Sequence, residues 1–158
     1  MAMGIGQRRA GWGFSLVELS LVLSIVAVFA AVAVPRYATS VVRYRADAAA
    51  RRIVADLGLA RAKARESSEG KTVIFDTAAG RLTIPGIRGL DGSLSAHTTD
   101  LSAEPYRVRL VSADFGGDSE VVLDGYGVPD SGGTAVIGLG DVLKTVVLDE
   151  HSGEARVQ

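Results

Sequence analysis

The chain has 158 residues, room for one modest domain and an extended element but hardly for two full cores. Its formal charge of −1 argues against a strongly basic nucleic-acid binder, and the absence of cysteine excludes disulfides and thiolate metal sites. The apolar fraction is 47%, and the excess is concentrated in one block, residues 14–34.

Residues 1–13 form a short leader that carries Arg8 and Arg9, a basic start that stays cytoplasmic by the positive-inside rule. An ordinary secretory signal places a small-residue cleavage site after its apolar segment. Here the apolar block is followed by Val34-Pro35-Arg36-Tyr37, which does not match such a site. The small residue that stands out is Gly13, ahead of the block. The block has 21 residues and a single charge, Glu18. About 20 such residues suffice to cross a bilayer as a helix. A carboxylate inside a membrane segment costs about 2.5–3.5 kcal/mol on insertion scales, so Glu18 is a functional candidate. The plainer alternative is that it marks the helix end at the headgroups.

The run Gly13-Phe14-Ser15-Leu16-Val17-Glu18-Leu19 ahead of an apolar helix resembles the type IV prepilin cleavage and methylation motif. The match lies in a short basic leader, Gly before the cut, Phe after it and Glu at the fifth position of the mature chain. The resemblance implies that a prepilin peptidase cuts between Gly13 and Phe14 on the cytoplasmic face and N-methylates Phe14. It also implies that Glu18 pairs with the N-terminal amine of a neighbouring subunit during assembly. Physical chemistry agrees, because a cation from the next subunit relieves an otherwise unpaired carboxylate in a low-dielectric layer. Pro35 falls where many pilins carry a helix-bending proline, and proline removes a backbone donor. The expected location is the bacterial inner membrane, crossed once by residues 14–36, with the leader cytoplasmic and the head in the periplasm or outside the cell. The expected partners are the peptidase, the membrane and other pilin or pseudopilin subunits.

Residues 37–70 read as an amphipathic stalk helix. Val42, Ala46, Ala49, Ile53, Leu57, Ala60 and Ala64 recur at helical spacing and define one face. Gly58 is a local weakness of about 1 kcal/mol relative to Ala, and Gly70 is a natural stop. Residues 43–65 hold seven basic and two acidic side chains, a net of +5; residues 66–158 hold seven basic and fifteen acidic, a net of −8. The basic face is expected to be solvated and to contact acidic heads of neighbours, rather than nucleic acid or anionic lipid.

Residues 71–158 turn to short apolar strands broken by turns, a β-rich head. Segments 72–76 and 81–85 flank a turn and predict a hairpin; 86–104 is polar and is expected to be an exposed loop. Further strands are expected at 106–113, 120–124, 134–139 and 143–149, with a return at 155–157. The predicted core is Val73, Phe75, Leu82, Ile84, Val108, Leu110, Val121, Leu123, Val136, Ile137, Val146 and Leu148. The fold class is α+β, a long N-terminal helix packed on a C-terminal antiparallel β-sheet head. Leu123-Asp124-Gly125-Tyr126-Gly127-Val128-Pro129 and the terminal Ser152-Gly153-Glu154-Ala155-Arg156-Val157 resemble, loosely, the pseudopilin-H/FimT group.

Little in the head suggests chemistry. Gly125-Tyr126-Gly127 follows a strand but no helix pattern follows it, so a phosphate loop is not expected. Asp149-Glu150-His151 lacks companion ligands at metal spacing. The acidic turn with Asp114, Asp118 and Glu120 offers calcium-type oxygens, but its spacing is not that of an EF-hand loop. No metal, cofactor or catalysis is expected. The expected function is a structural minor subunit of a type II secretion pseudopilus or type IV pilus. Two alternatives stand beside it. One is a FimT-like minor pilin that binds DNA during uptake, for which Arg107, Arg109 and Arg156 are the basic residues of the head. The other is a membrane-anchored binding domain that never polymerises.

Overall fold

The computed structural model describes residues 15–89 and 96–158, and the chain divides into two units, residues 1–38 and 39–158. Helix α1, Leu16–Ser67, contributes to both. Its start is marked by Ser15, whose hydroxyl accepts the Val17 N–H at 3.3 Å and whose carbonyl accepts the Leu19 N–H at 3.0 Å. Its end comes where Ser68 adopts a left-handed conformation (φ 52°) and the Glu69 N–H bonds back to the Ala64 carbonyl. This is the common way of closing a last turn.

Among the described residues of the unit spanning 39–158, eight strands follow α1: β1 Lys71–Asp76, β2 Arg81–Arg88, β3 Ala96–Asp100, β4 Arg109–Phe115, β5 Glu120–Leu123, β6 Gly133–Leu139, β7 Val142–Leu148 and β8 Ala155–Val157. They form two antiparallel four-stranded sheets, ordered β3-β2-β1-β5 and β4-β6-β7-β8. The α+β class and the helix-on-sheet arrangement are as the sequence predicts. The expected helix face is buried from Ala46 onward, with Val42 half-buried, and Ala50 joins it. Strand residues Val73, Phe75, Leu82, Ile84, Val121, Leu123, Ile137, Val146 and Leu148 close on that face in one core.

Three expectations are corrected. The segment 86–104 is not simply an exposed loop: β2 runs on to Arg88, β3 lies within it, and Ile87, His97, Thr99 and Leu101 are buried. The inward residues of β3 are polar, so its period-two alternation left no apolar trace. The strand expected at 106–113 is displaced to Arg109–Phe115, because Phe115 stacks on Phe75 (centroids 4.9 Å apart) and draws the strand's end into the core. Val136 is only half-buried; Ala135 and Ile137 face inward, and successive residues of a strand cannot share one face.

The loops at the end of α1 are fitted by glycine. A Cβ on Gly125 would lie 2.8 Å from the Ser68 carbonyl, and one on Gly127 (φ 75°) 2.8 Å from both Arg61 Cγ and Arg65 Nε. A Cβ on Gly153 (φ 65°) would lie 2.5 Å from the Gly127 carbonyl oxygen. By contrast Gly86 (φ 76°) has open space around it. Gly153→Ala is therefore expected to cost more stability than Gly86→Ala. A left-handed backbone at a non-glycine residue costs about 1–3 kcal/mol. Gly86→Ala should show that strain alone, whereas Gly153→Ala adds a backbone clash. Equal denaturation midpoints for the two variants would contradict this packing.

Candidate assembly site

The unit spanning residues 1–38 presents an apolar helix surface that its own chain leaves uncovered. Leu16 is 84% exposed, Val17 74%, Val28 68% and Phe29 71%. So much bare apolar surface is unusual for a solitary soluble element and marks a surface built to be covered. Ser20 and Ser24 return their hydroxyls to the carbonyls of Val17 and Ser20, both at 2.8 Å, so neither polar group interrupts the apolar surface with an unsatisfied donor. Glu18 lies in the first turn of α1 and is exposed, with no ion-pair partner among the described residues. A carboxylate there is favoured by the positive end of the helix dipole. Gly13 and Phe14 lie outside the described residues, and α1 continues through Pro35, of whose side chain nothing is described. Among the described residues no helix is long and apolar enough to cross a membrane. The apolar block in the sequence runs over residues 14–34, of which Phe14 lies outside the described residues. The spanning expectation therefore rests on the sequence.

In the unit spanning 39–158, one feature escaped sequence reasoning. Asp56 sits on the buried face of α1 and meets two residues of β3. Its Oδ1 lies 3.0 Å from His97 Nε2, and its Oδ2 accepts the Thr99 hydroxyl at 2.6 Å. Arg52, one turn earlier, donates through Nε to Asp56 Oδ2 at 3.2 Å and through its terminal nitrogen to Thr99 Oγ1 at 3.2 Å. The Asp56 and His97 side chains are 3% and 2% exposed. The cluster ties β3 to the helix with charge-assisted bonds, each stronger than a neutral one. The signal that could have found it is the spacing of Asp56 on the apolar face, three residues after Ile53 and four before Ala60.

The acidic turns act as caps. Asp114 Oδ1 accepts the Gly117 N–H, Asp124 Oδ1 those of Tyr126 and Val128, and Asp130 Oδ1 that of Val122. Among the described residues no three His, Asp or Glu side chains converge as a metal site, so Asp114, Asp118 and Glu120 are not gathered around a common point. Of the basic head residues, Arg107 pairs with Glu104 at 2.6 Å and Arg156 lies 3.9 Å from Asp149. Arg109 alone of the three has no ion-pair partner among the described residues.

Neither a family model nor a curated protein sequence matches the chain. Solved structures do match it. Two crystal forms of the type IV minor pilin FimU of Pseudomonas aeruginosa superpose with TM-scores of 0.53 and 0.51, at 16% and 15% identity. The matches cover 73% and 71% of this chain and 90% and 91% of FimU. The fold is type IV pilin-like. In this pilin-like fold the helix-to-sheet tie through Asp56 is internal to the head, and the uncovered apolar surface lies on α1 before residue 39.

Two predictions follow from the head's polar groups. Asp56→Ala strands His97, Thr99 and Arg52 around a buried gap, and breaking a buried pair on one side typically costs about 3–5 kcal/mol. Chemical denaturation of the full chain in detergent should show that loss, with Thr99→Val losing less, about 1.5–3 kcal/mol. The second prediction concerns acid. The Ser102 hydroxyl first, and Arg81 and the Ser102 and Ala103 N–H groups after it, hold the Asp100 carboxyl below its ordinary 3.8. The Ser152 N–H first, then its hydroxyl, do the same for Asp149. A depressed folded value means that this stabilisation is full above 3.8 and is lost as pH falls through the lower folded value. Stability should therefore decline on acidification below about pH 5, and more shallowly in Asp100→Asn and Asp149→Asn; an unchanged slope in both would refute the role of these caps.

Proposed function

We propose that the chain is a structural minor subunit of a type II secretion pseudopilus or type IV pilus. A prepilin peptidase releases residues 1–13 by cutting between Gly13 and Phe14 and methylates Phe14. The mature helix is then held in the inner membrane with the head in the periplasm or beyond, until the subunit enters a filament. The single observation that supports this most is the uncovered apolar start of α1 with Glu18 in its first turn, on a pilin-like fold. Glu18 meets the amine of a neighbouring Phe14, which gives the carboxylate a counter-charge and sets the axial register. The partners are other pilin or pseudopilin subunits.

The exposed side of the stalk supports the same reading. Ala55, Gly58 and Ala62 are exposed on α1, and a Cβ on Gly58 would meet nothing within 4 Å. Small residues at helical spacing let a second helix come close. No observation on the head favours the DNA-binding alternative, since two of its three arginines face their own carboxylates.

The test begins with intact mass and N-terminal sequence of chain recovered from membranes, with and without the host's prepilin peptidase. A chain that begins at N-methylated Phe14 is expected. Retention of Met1 in the presence of the peptidase would sink the filament reading. Glu18→Ala should leave anchoring intact and abolish filament entry. Gly58→Ala should stabilise the isolated chain by about 1 kcal/mol, whereas Gly58→Leu should leave it folded and reduce its entry into filaments.

A further inference from the structure

Arg43 comes nine residues after the apolar block of 14–34 and, with Tyr44 and Arg45, stands in the first turns of the unit spanning 39–158. Arg43 is exposed, Tyr44 is 75% exposed and Arg45 is half-buried. Neither arginine has an ion-pair partner among the described residues.

Two strands bring further groups to the same level. Lys144 of β7 pairs with Asp47 of α1 at 2.9 Å, which places the start of β7 one helical turn beyond Arg43. At its other end β7 leads to Asp149, whose carbonyl accepts the Gly153 N–H at 2.9 Å, and a Cβ on Gly153 would lie 3.5 Å from Arg61 Nε. Arg61 is fourteen residues after Asp47, about 21 Å along the helix at 1.5 Å per residue. β7 therefore climbs with α1, and the Gly140-Asp141 turn before it lies at the foot of the head. Leu143, next to that turn, is 62% exposed, and Arg109 of β4 is brought there by its pairing with Gly138. Arg109 and Asp141 are both exposed and have no ion-pair partner among the described residues.

We propose that this foot binds the anionic phospholipid headgroups of the membrane that holds the apolar helix. Guanidinium groups match phosphate through paired N–H bonds. Tyr44 suits the headgroup layer because its ring is apolar and its tip polar, and Leu143 adds an alkyl group that can reach the acyl boundary. Three unpaired guanidiniums outnumber the one unpaired carboxylate, Asp141, so the foot is net cationic within the short range over which a charged surface is felt. Nucleic acid offers phosphate too, but it offers no layer for Leu143 and no reason for the arginines to follow a bare apolar helix so closely. Net charge alone assigned the whole basic stalk to acidic neighbours; position sets its first turns apart. The docking rests on the reading of the chain as a membrane-held subunit, and it ends when the subunit leaves the lipid for a filament.

Full-length chain would be placed in vesicles of phosphatidylcholine, or of phosphatidylcholine and phosphatidylglycerol in equal parts, with bromine on the lipid chains. Trp12 is the chain's single tryptophan, so Trp12→Phe with Leu143→Trp leaves one indole to report contact with the acyl layer. Its fluorescence should be quenched in the anionic vesicles and not in the zwitterionic ones, and high salt should relieve the quenching. Arg43→Gln and Arg109→Gln should each lower the docked-to-free ratio about fivefold. Asp141→Asn should raise it, and Arg88→Gln, beside the C-terminal end of α1, should leave it unchanged. Should the strand variant fail to fold, Trp12→Phe with Tyr44→Trp repeats the measurement from the helix. Equal quenching in both vesicles, none in either from both reporters, quenching indifferent to Arg43 and Arg109, or its loss to added duplex DNA would overturn the proposal. Chain that an alkaline wash strips from the vesicles would instead overturn the membrane-held reading itself.

Discussion

How closely two sheets can approach one helix governs the head, and alanine sets that distance. Ala46, Ala49, Ala50, Ala60 and Ala64 are all fully buried on α1, leaving Ile53 and Leu57 as the only large aliphatics among the helix's described buried residues. The bulk of the core comes instead from the strands and the bend after β3: Phe75, Leu82, Ile84, Leu101, Leu110, Leu123 and Ile137 fill the space that the alanines leave open. Interiors are packed to the density of organic crystals, so a small residue on one wall demands a large one on the other. Close approach also explains the glycines where the loops fold back on the helix end, since no Cβ fits between backbone and backbone there.

Asp56 interrupts that apolar face and is tolerated because every charge around it is answered. Its two oxygens meet His97, Thr99 and Arg52, and Arg52 is partly exposed, so one member of the cluster retains access to water. A buried carboxylate left alone would be costly, and a half-satisfied network would be worse than an apolar replacement. Here the network gives specificity to β3, an edge strand whose inward residues, His97 and Thr99, have little apolar burial to set their register.

These two arrangements explain what was legible in the sequence. The alanine-rich face of the stalk, the β1–β2 hairpin and most of the strand core follow from apolar periodicity alone, and they are where the expectations hold. β3 was invisible because its alternation is of His and Thr, and polar residues at a period of two look like a loop until their buried partner is known. The end of β4 lies two residues beyond the expectation because Phe115 is held by a ring contact forty residues away in sequence, to Phe75, which no local pattern records. Glu18 could be singled out from its place in an apolar block.

Neutralised and unneutralised charges divide the surface by role. The chain's net charge of −1 conceals a basic stalk and an acidic head, which at first sight suggests broad electrostatic attraction between neighbours. Much of that charge is already spoken for: Asp47 by Lys144, Asp100 by Arg81, Glu104 by Arg107, Glu66 by Lys63. Pairs closed within one molecule cannot steer another, and long-range fields between exposed charges are screened within about 8 Å at physiological salt. What can discriminate between partners is a charge left without an ion-pair partner among the described residues beside bare apolar surface. Glu18 amid the uncovered helix has that character. A partner that covered the apolar surface would dry the carboxylate, and the charge would then penalise any register that leaves it unpaired.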